Sequence, residues 1–188
     1  METGKVPILP GQVFAAPPGL HGIDTNTVLD DRHCRAAKAH GFTFCLRYVS
    51  RGERQQANDL HEAEARTILN AGLALMPVQH VARAGWSPTK NLWSAYGRNA
   101  ALHVREIGFP PGLNVWLDLE GVKSLSSHAA VIDYCNGWIA EVESAGFVCL
   151  HRGQSHSHKW RRFSGVFGRG IFGGQVAGFR TFPIAVIS

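Results

Sequence analysis

The chain has 188 residues, 45% of them hydrophobic, which bounds it to one domain with ample material for a core. Its net charge of +5 is lopsided: residues 1–143 hold all 14 acids and 13 bases, a net of −1, whereas residues 144–188 hold six bases and no acid. A neutral body without a basic stripe argues against nucleic-acid binding, and no apolar run approaches the ~20 residues of a membrane span.

Residues 1–19 carry Pro7, Pro10, Pro17 and Pro18 and read as an irregular lead-in. The apolar piece Val6 to Pro10 is short and broken by prolines, so no signal peptide is visible. The default expectation is cytoplasmic. Leu20 to Asp24 is a short first strand, and Thr27 with Asp30 is a capping pattern for a helix reaching about His40, stopped by Gly41. Phe42 to Val49 is the second strand, with Phe42, Phe44, Leu46 and Tyr48 on one face and Thr43, Cys45 and Arg47 on the other. Asp59 and Glu62 form a second capping pattern, and Ala65, Ile68 and Leu69 recur at helical spacing before Gly72.

Leu73 to His80 is the third strand, apolar until Gln79 and His80. Ser87-Pro88 opens a helix whose Leu92, Tyr96, Ala100, Val104 and Ile107 form one stripe ending at Gly108. Leu113 to Glu120 is the fourth strand. Ser126 or Ser127 caps a helix with Val131, Cys135, Trp138, Ile139 and Val142 on one side, closed by Gly146, and Phe147-Val148 begins a fifth strand. Each helix ends in a glycine followed by an apolar strand. That repetition predicts successive βαβ units and a parallel sheet.

The repetition stops after Val148. Residues 149–188 are rich in Gly, Arg and Ser, with no helix-length stripe, as a truncated or frame-shifted continuation would be, and they are expected not to be native to the fold. The expected architecture is therefore α/β: an incomplete (β/α)8 TIM-type barrel of about four βα units plus the start of a fifth strand, occupying residues 20–148. Apolar edges left uncovered by such a half-barrel predict poor solubility or oligomerisation, although the sequence names no oligomeric state. Cys34, Cys45, Cys135 and Cys149 lack metal-binding or C-x-x-C spacing and read as buried thiols, and no cofactor motif or metal site is predicted.

In the run Val115-Trp116-Leu117-Asp118-Leu119-Glu120-Gly121, alternate side chains share a face, so Trp116, Asp118 and Glu120 point one way. Carboxylates at i and i+2 of a strand lie roughly 7 Å apart at Cβ, from a rise of about 3.3 Å per residue. Parallel strands bring their C-terminal ends to one rim. That rim gathers Asp24, Arg47, Tyr48, Gln79, His80, Asp118 and Glu120, with Trp86 in the following loop offering a sugar-stacking face. Three converging acids can supply a proton donor and a partner for an oxocarbenium-like centre. Each residue also has a structural reading: turn chemistry for Asp24, a buried ion pair for Arg47, a satisfied core histidine for His80.

Gly22 to Thr27, Arg47 to Arg51, Ala71 to His80 and Val115 to Gly121, in this order, resemble the bacterial glycoside-hydrolase-like domain family, which is similar in turn to the family 25 muramidases. The resemblance implies an α/β barrel with catalytic acids at Asp24, Asp118 and Glu120, Glu120 matching the proton donor. It implies a peptidoglycan-type polysaccharide as partner, with export in keeping, and the position of Arg47, Tyr48, Gln79, His80 and Trp86 at the same rim makes them the expected substrate contacts. Two functions are expected to compete: a muramidase-like glycoside hydrolase, and a non-catalytic glycan-binding module or inactive truncated relative.

Overall fold

Strand alternation divides the apolar residues into two cores, and this division sets the architecture. In the computed structural model, residues 7–16, 19–80 and 82–149 are described, together with three short strands beyond them. The elements are β1 (Val13–Ala15), β2 (His21–Thr25), α1 (Asp31–Ala39), β3 (Phe44–Val49), α2 (Glu62–Asn70) and β4 (Ala74–Gln79). They continue as α3 (Lys90–Ile107), β5 (Trp116–Leu117), α4 (His128–Ser144), β6 (Gly168–Arg169), β7 (Gln175–Gly178) and β8 (Ala185–Ile187).

The result is a mixed α/β fold whose centre is a parallel sheet in sequence order, β2-β3-β4-β5, with four helices. Ile23, Cys45, Val49 and Leu75 face the helices and pack with Cys34, Ala37, Ile68, Val104, Trp138 and Val142. Phe44, Leu46, Ala74, Met76 and Val78 point to the opposite face, joined by Leu20, Tyr48 and Trp116. Gly22 belongs to this second face because Phe44 fills the space beside it; a Cβ at 22 would stand 2.0 Å from the ring.

The glycine stops fall where expected, with Gly41, Gly72, Gly108 and Gly146 all at positive φ just past their helices. Helix starts differ. Asp30, not Thr27, caps α1, its Oδ1 accepting from the His33 N–H at 2.8 Å, while the Thr27 N–H donates to Thr25 Oγ1. Asp59 does not cap α2, because its carboxylate accepts from the Gln56 N–H at 2.6 Å and meets His80; His61 holds the N-cap position. Ser87-Pro88 precedes α3, whose N-cap is Thr89. Ser127 caps α4 as expected, accepting from Ala130.

The lead-in is not wholly irregular, since Val13–Ala15 pairs antiparallel with β8. Backbone pairing from residues beyond Val148 also reaches β2, through β7, and β4, through β8. Most of the predicted tail lies outside the described residues. All four cysteines are free and buried, and no described helix is long and apolar enough to cross a membrane. Helices α3 and α4 press together through two glycines: a Cβ at 97 would stand 2.9 Å from the Trp138 carbonyl oxygen, and one at 137 would stand 2.1 Å from the Trp93 ring.

A buried ion pair anchors the helix side of the strand ends. Arg47, fully buried, donates from Nε and Nη2 to the Glu64 carboxylate at 2.7 and 3.0 Å, and also to the carbonyls of Thr25 and Asn58. Glu64 in turn accepts from the Leu29 N–H at 2.8 Å. Removing one partner strands the other charge in a dry site, which costs about 3–5 kcal/mol. Glu64→Ala is therefore expected to lower the urea-unfolding free energy by about that amount; a loss below about 1 kcal/mol, the scale of an exposed pair, would contradict the role given to this network.

Candidate functional site

The ends of β2 to β5 lie side by side, with Thr25 opposite Arg47, Val49 opposite Gln79, and Gln79 opposite Leu117. On the face away from the helices this brings Asp24 to Tyr48, whose hydroxyl donates to Asp24 Oδ2 at 3.2 Å. The other oxygen, Asp24 Oδ1, is buried with no hydrogen-bond partner among the described residues. Burial raises the Asp24 pKa above its ordinary value, and the Glu120 charge adds to this, while the Tyr48 bond and the Arg47 charge oppose it.

The sequence pattern predicts Asp118 and Glu120 on the strand, but both follow its end. The ladder covers only Trp116 and Leu117, because Asp118 Oδ1 accepts from the Glu120 N–H at 2.8 Å and turns the chain out of the sheet. The i, i+2 strand spacing therefore does not describe this pair. Asp118 is partly buried and Glu120 is exposed at the rim. Desolvation pushes the Asp118 carboxyl up to about 6, helped by the charges of Glu120 and Asp24 and opposed by the Glu120 N–H. Burial, followed by the charges of Asp24 and Asp118 and then that of Glu120, also raises the Tyr48 hydroxyl. The three acids thus share one electrostatic neighbourhood around Tyr48.

Trp86 holds the turn in place. Its Nε1 donates to the Glu120 carbonyl at 3.1 Å, and its ring packs edge-to-face on Tyr134 with centroids 4.9 Å apart. The loops after β4 and β5 are zipped together by Gly85 N–H to Gly121 O at 2.7 Å and Lys123 N–H to Trp86 O at 2.8 Å. His80 joins the same face, stacked on Tyr48 at 4.6 Å between centroids, with Nε2 3.0 Å from Asp59 Oδ1.

Two predicted contacts lie on the helix side instead. Arg47 is engaged by Glu64, as described above. Gln79 is buried, donating to the Tyr96 carbonyl at 2.6 Å and to the Ser50 carbonyl at 3.3 Å, and accepting from Trp138 Nε1 at 2.7 Å. Both follow from alternation, since Tyr48 and His80 are the next residues along and face the other way. A groove of about 600 Å³ lined by Lys90, Trp93, Tyr134 and Gly137 also lies between α3 and α4 rather than over the acids. Sequence patterning missed Asp59, whose spacing to Glu62 imitates a cap. It missed Glu64 as well, although an acid at 64, on the stripe of Ala65 and Ile68, is the mark of a buried pair.

Asp118 generates a prediction. Its folded pKa of about 6 lies above the ordinary 3.8, so its contribution to stability is complete below about pH 4 and is lost as pH rises through 6. Asp118→Asn keeps an acceptor for the Glu120 N–H and removes the cost of ionisation. It is expected to be more stable than the parent at pH 7 by about 1–2 kcal/mol, discounted for partial exposure, with the difference fading by pH 4. Parallel urea titrations at the two pH values measure this, and an equal difference at both would contradict it.

A family model described as Rv2525c-like, glycoside hydrolase-like domain, matches residues 35–167. None of the curated proteins matches the chain. Among solved structures, an uncharacterized protein from B. stearothermophilus aligns with a TM-score of 0.55 and 21% identity, over 70% of this chain and 59% of its own. The Mycobacterium tuberculosis Tat-secreted protein Rv2525c, solved in complex with HEPES, aligns at 0.52 and 17%, over 70% and 67%. A bacterial lysozyme from Streptomyces coelicolor aligns at 0.44 and 16%, over 69% and 60%. The chain thus spans about three fifths of the B. stearothermophilus protein's length, and at these identities the first two likenesses establish the shared fold. With the family model matching most of the sequence, the chain belongs to the Rv2525c-like glycoside hydrolase-like domain family.

Proposed function

We propose that this protein binds a bacterial cell-wall polysaccharide of peptidoglycan type across the ends of β2 to β5 and hydrolyses a glycosidic bond there. The observation that carries the reading is the shared field of Asp24, Asp118 and Glu120 around the Tyr48 hydroxyl, with one carboxyl holding its proton to near pH 6. Hydrolysis of an acetal needs a proton for the leaving oxygen and negative charge for the oxocarbenium-like centre. Glu120, the exposed acid at the rim and the one the family resemblance assigns, delivers the proton. Asp118, its carboxyl pushed up to about 6, keeps a proton available beside it, and Asp24, with Oδ1 unpartnered among the described residues and Oδ2 held by Tyr48, faces the developing positive charge.

A second reading is favoured by Trp86. A tryptophan pinned through Nε1 to the Glu120 carbonyl and backed by Tyr134 is a fixed aromatic surface of the kind sugars stack on, with or without chemistry. The protein would then be a glycan-binding module that uses the acids as hydrogen-bond acceptors.

Release of reducing ends from purified peptidoglycan, measured alongside pelleting of the protein with it, separates the two. Glu120→Gln is expected to reduce turnover at least about 100-fold while leaving pelleting intact. Turnover that survives this change would refute the role given to Glu120, and pelleting without turnover in the parent protein would establish the module.

A further inference from the structure

His80 is positioned more closely than a packing histidine requires. Asp59, only 1% exposed, directs one carboxylate oxygen to the Gln56 N–H at 2.6 Å and the other to His80 Nε2 at 3.0 Å. A carboxylate accepts and does not donate, so Nε2 carries the hydrogen and Nδ1 carries the lone pair. Nδ1 has no protein partner among the described residues, although the side chain is three-quarters buried. The ring lies flat against Tyr48, interplanar angle 21°, and Tyr48 reaches Asp24. A row therefore runs from Asp59 through His80 and Tyr48 to Asp24 across the ends of three strands, and among the described residues its open positions are Asp24 Oδ1 and the His80 Nδ1 lone pair. Burial lowers the His80 pKa, with Arg51 and Arg47 adding to this and Asp59 opposing it, which keeps the ring neutral and the lone pair available at neutral pH.

We propose that His80, fixed by Asp59 in its Nε2–H form, is a specificity-determining contact whose Nδ1 accepts a hydrogen bond from a donor group of the bound sugar. The inference rests on the glycan reading of the site and names one contact within it. Two sugar groups carry that chemistry, a hydroxyl and an acetamido N–H.

The test uses the full chain, nitrogen-15 NMR of the imidazole, and calorimetric binding of triacetylchitotriose and of cellotriose, which bears hydroxyls in place of the acetamido groups. In the parent protein the spectrum is expected to show Nε2 protonated and Nδ1 bare. Asp59→Asn keeps an oxygen for the Gln56 N–H and turns its NH2 toward Nε2, which forces the proton onto Nδ1. Affinity should then fall about tenfold, the scale of one well-placed hydrogen bond to a buried group. His80→Gln, which puts an amide nitrogen toward Asp59 and offers nothing at the Nδ1 position, should lose as much. His80→Asn, which restores an oxygen there, should recover most of the loss. A merely structural His80 predicts the opposite order, with Gln tolerated. Preference for triacetylchitotriose assigns the donor to the acetamido N–H, and equal binding assigns it to a hydroxyl; either supports the proposal. A proton on Nδ1 in the parent, or unchanged binding in Asp59→Asn despite the shifted proton, overturns it. Binding of neither sugar by the parent overturns the glycan reading as well.

Discussion

The Arg47–Glu64 pair is the constraint on which the rest of the site depends. One guanidinium joins β3 to α2, to the end of β2 through the Thr25 carbonyl, and to the loop before α2 through Asn58. Through Glu64 the network also reaches Leu29, ahead of α1. Five pieces of chain are thereby fixed at the end of the sheet where Asp24 and Tyr48 stand. A guanidinium suits this place because its planar fork satisfies both carboxylate oxygens and still has donors for two carbonyls. Such a pair stabilises little in net terms, since desolvation offsets much of the attraction. What it provides is position, because any displacement of these strand ends would leave a charge unpaired.

The same division of labour appears twice. At the end of β3, Arg47 anchors the helix side and its neighbour Tyr48 faces the acids. At the end of β4, Gln79 ties the strand to α3 through Tyr96 and to α4 through Trp138, and its neighbour His80 faces the acids. Strand alternation makes this possible with two consecutive residues. One satisfies buried backbone and side-chain groups on the helix side, and the next is held by that anchoring in a single orientation. The polar atoms of Arg47 and Gln79 are occupied for this reason, whereas the open Asp24 Oδ1 belongs to the other face.

How much of this the sequence discloses follows from the range of the interactions involved. The order of strands and helices, the glycine stops and the two faces of β3 are local or periodic, and they were legible. Helix starts were less so. Asp30 and Thr27 are both competent caps, and the choice went to the residue whose carboxylate met the His33 N–H. Asp59 mimicked a cap by spacing while its partner lay 21 positions away at His80, just past the end of β4. At the candidate site, the parallel pairing that brings the ends of β2 to β5 to one edge was legible. The turn at Asp118 was not, because an alternating apolar pattern does not reveal that its aspartate will take the backbone N–H two residues on and end the strand.

That turn bears on how the acids hold their protons. Had β5 continued to Glu120, the Asp118 carboxylate would have kept its oxygens free of that N–H. The observed turn gives Asp118 one hydrogen bond and still leaves its carboxyl titrating near 6, so burial and the neighbouring acids outweigh a bond that by itself favours ionisation. Asp24 shows the same balance, with the Tyr48 bond and the Arg47 charge failing to cancel the effect of burial. A site selected for stability would place a cation against these acids. The cation at hand, Arg47, is turned to the helix side and matched to Glu64, so the acids face one another across Tyr48 with their charge only partly compensated. The strand ends are thus held by one satisfied ion pair beside a group of acids whose charge is only partly compensated; on the glycan reading proposed above, that cost is recovered when a ligand brings donors to that face.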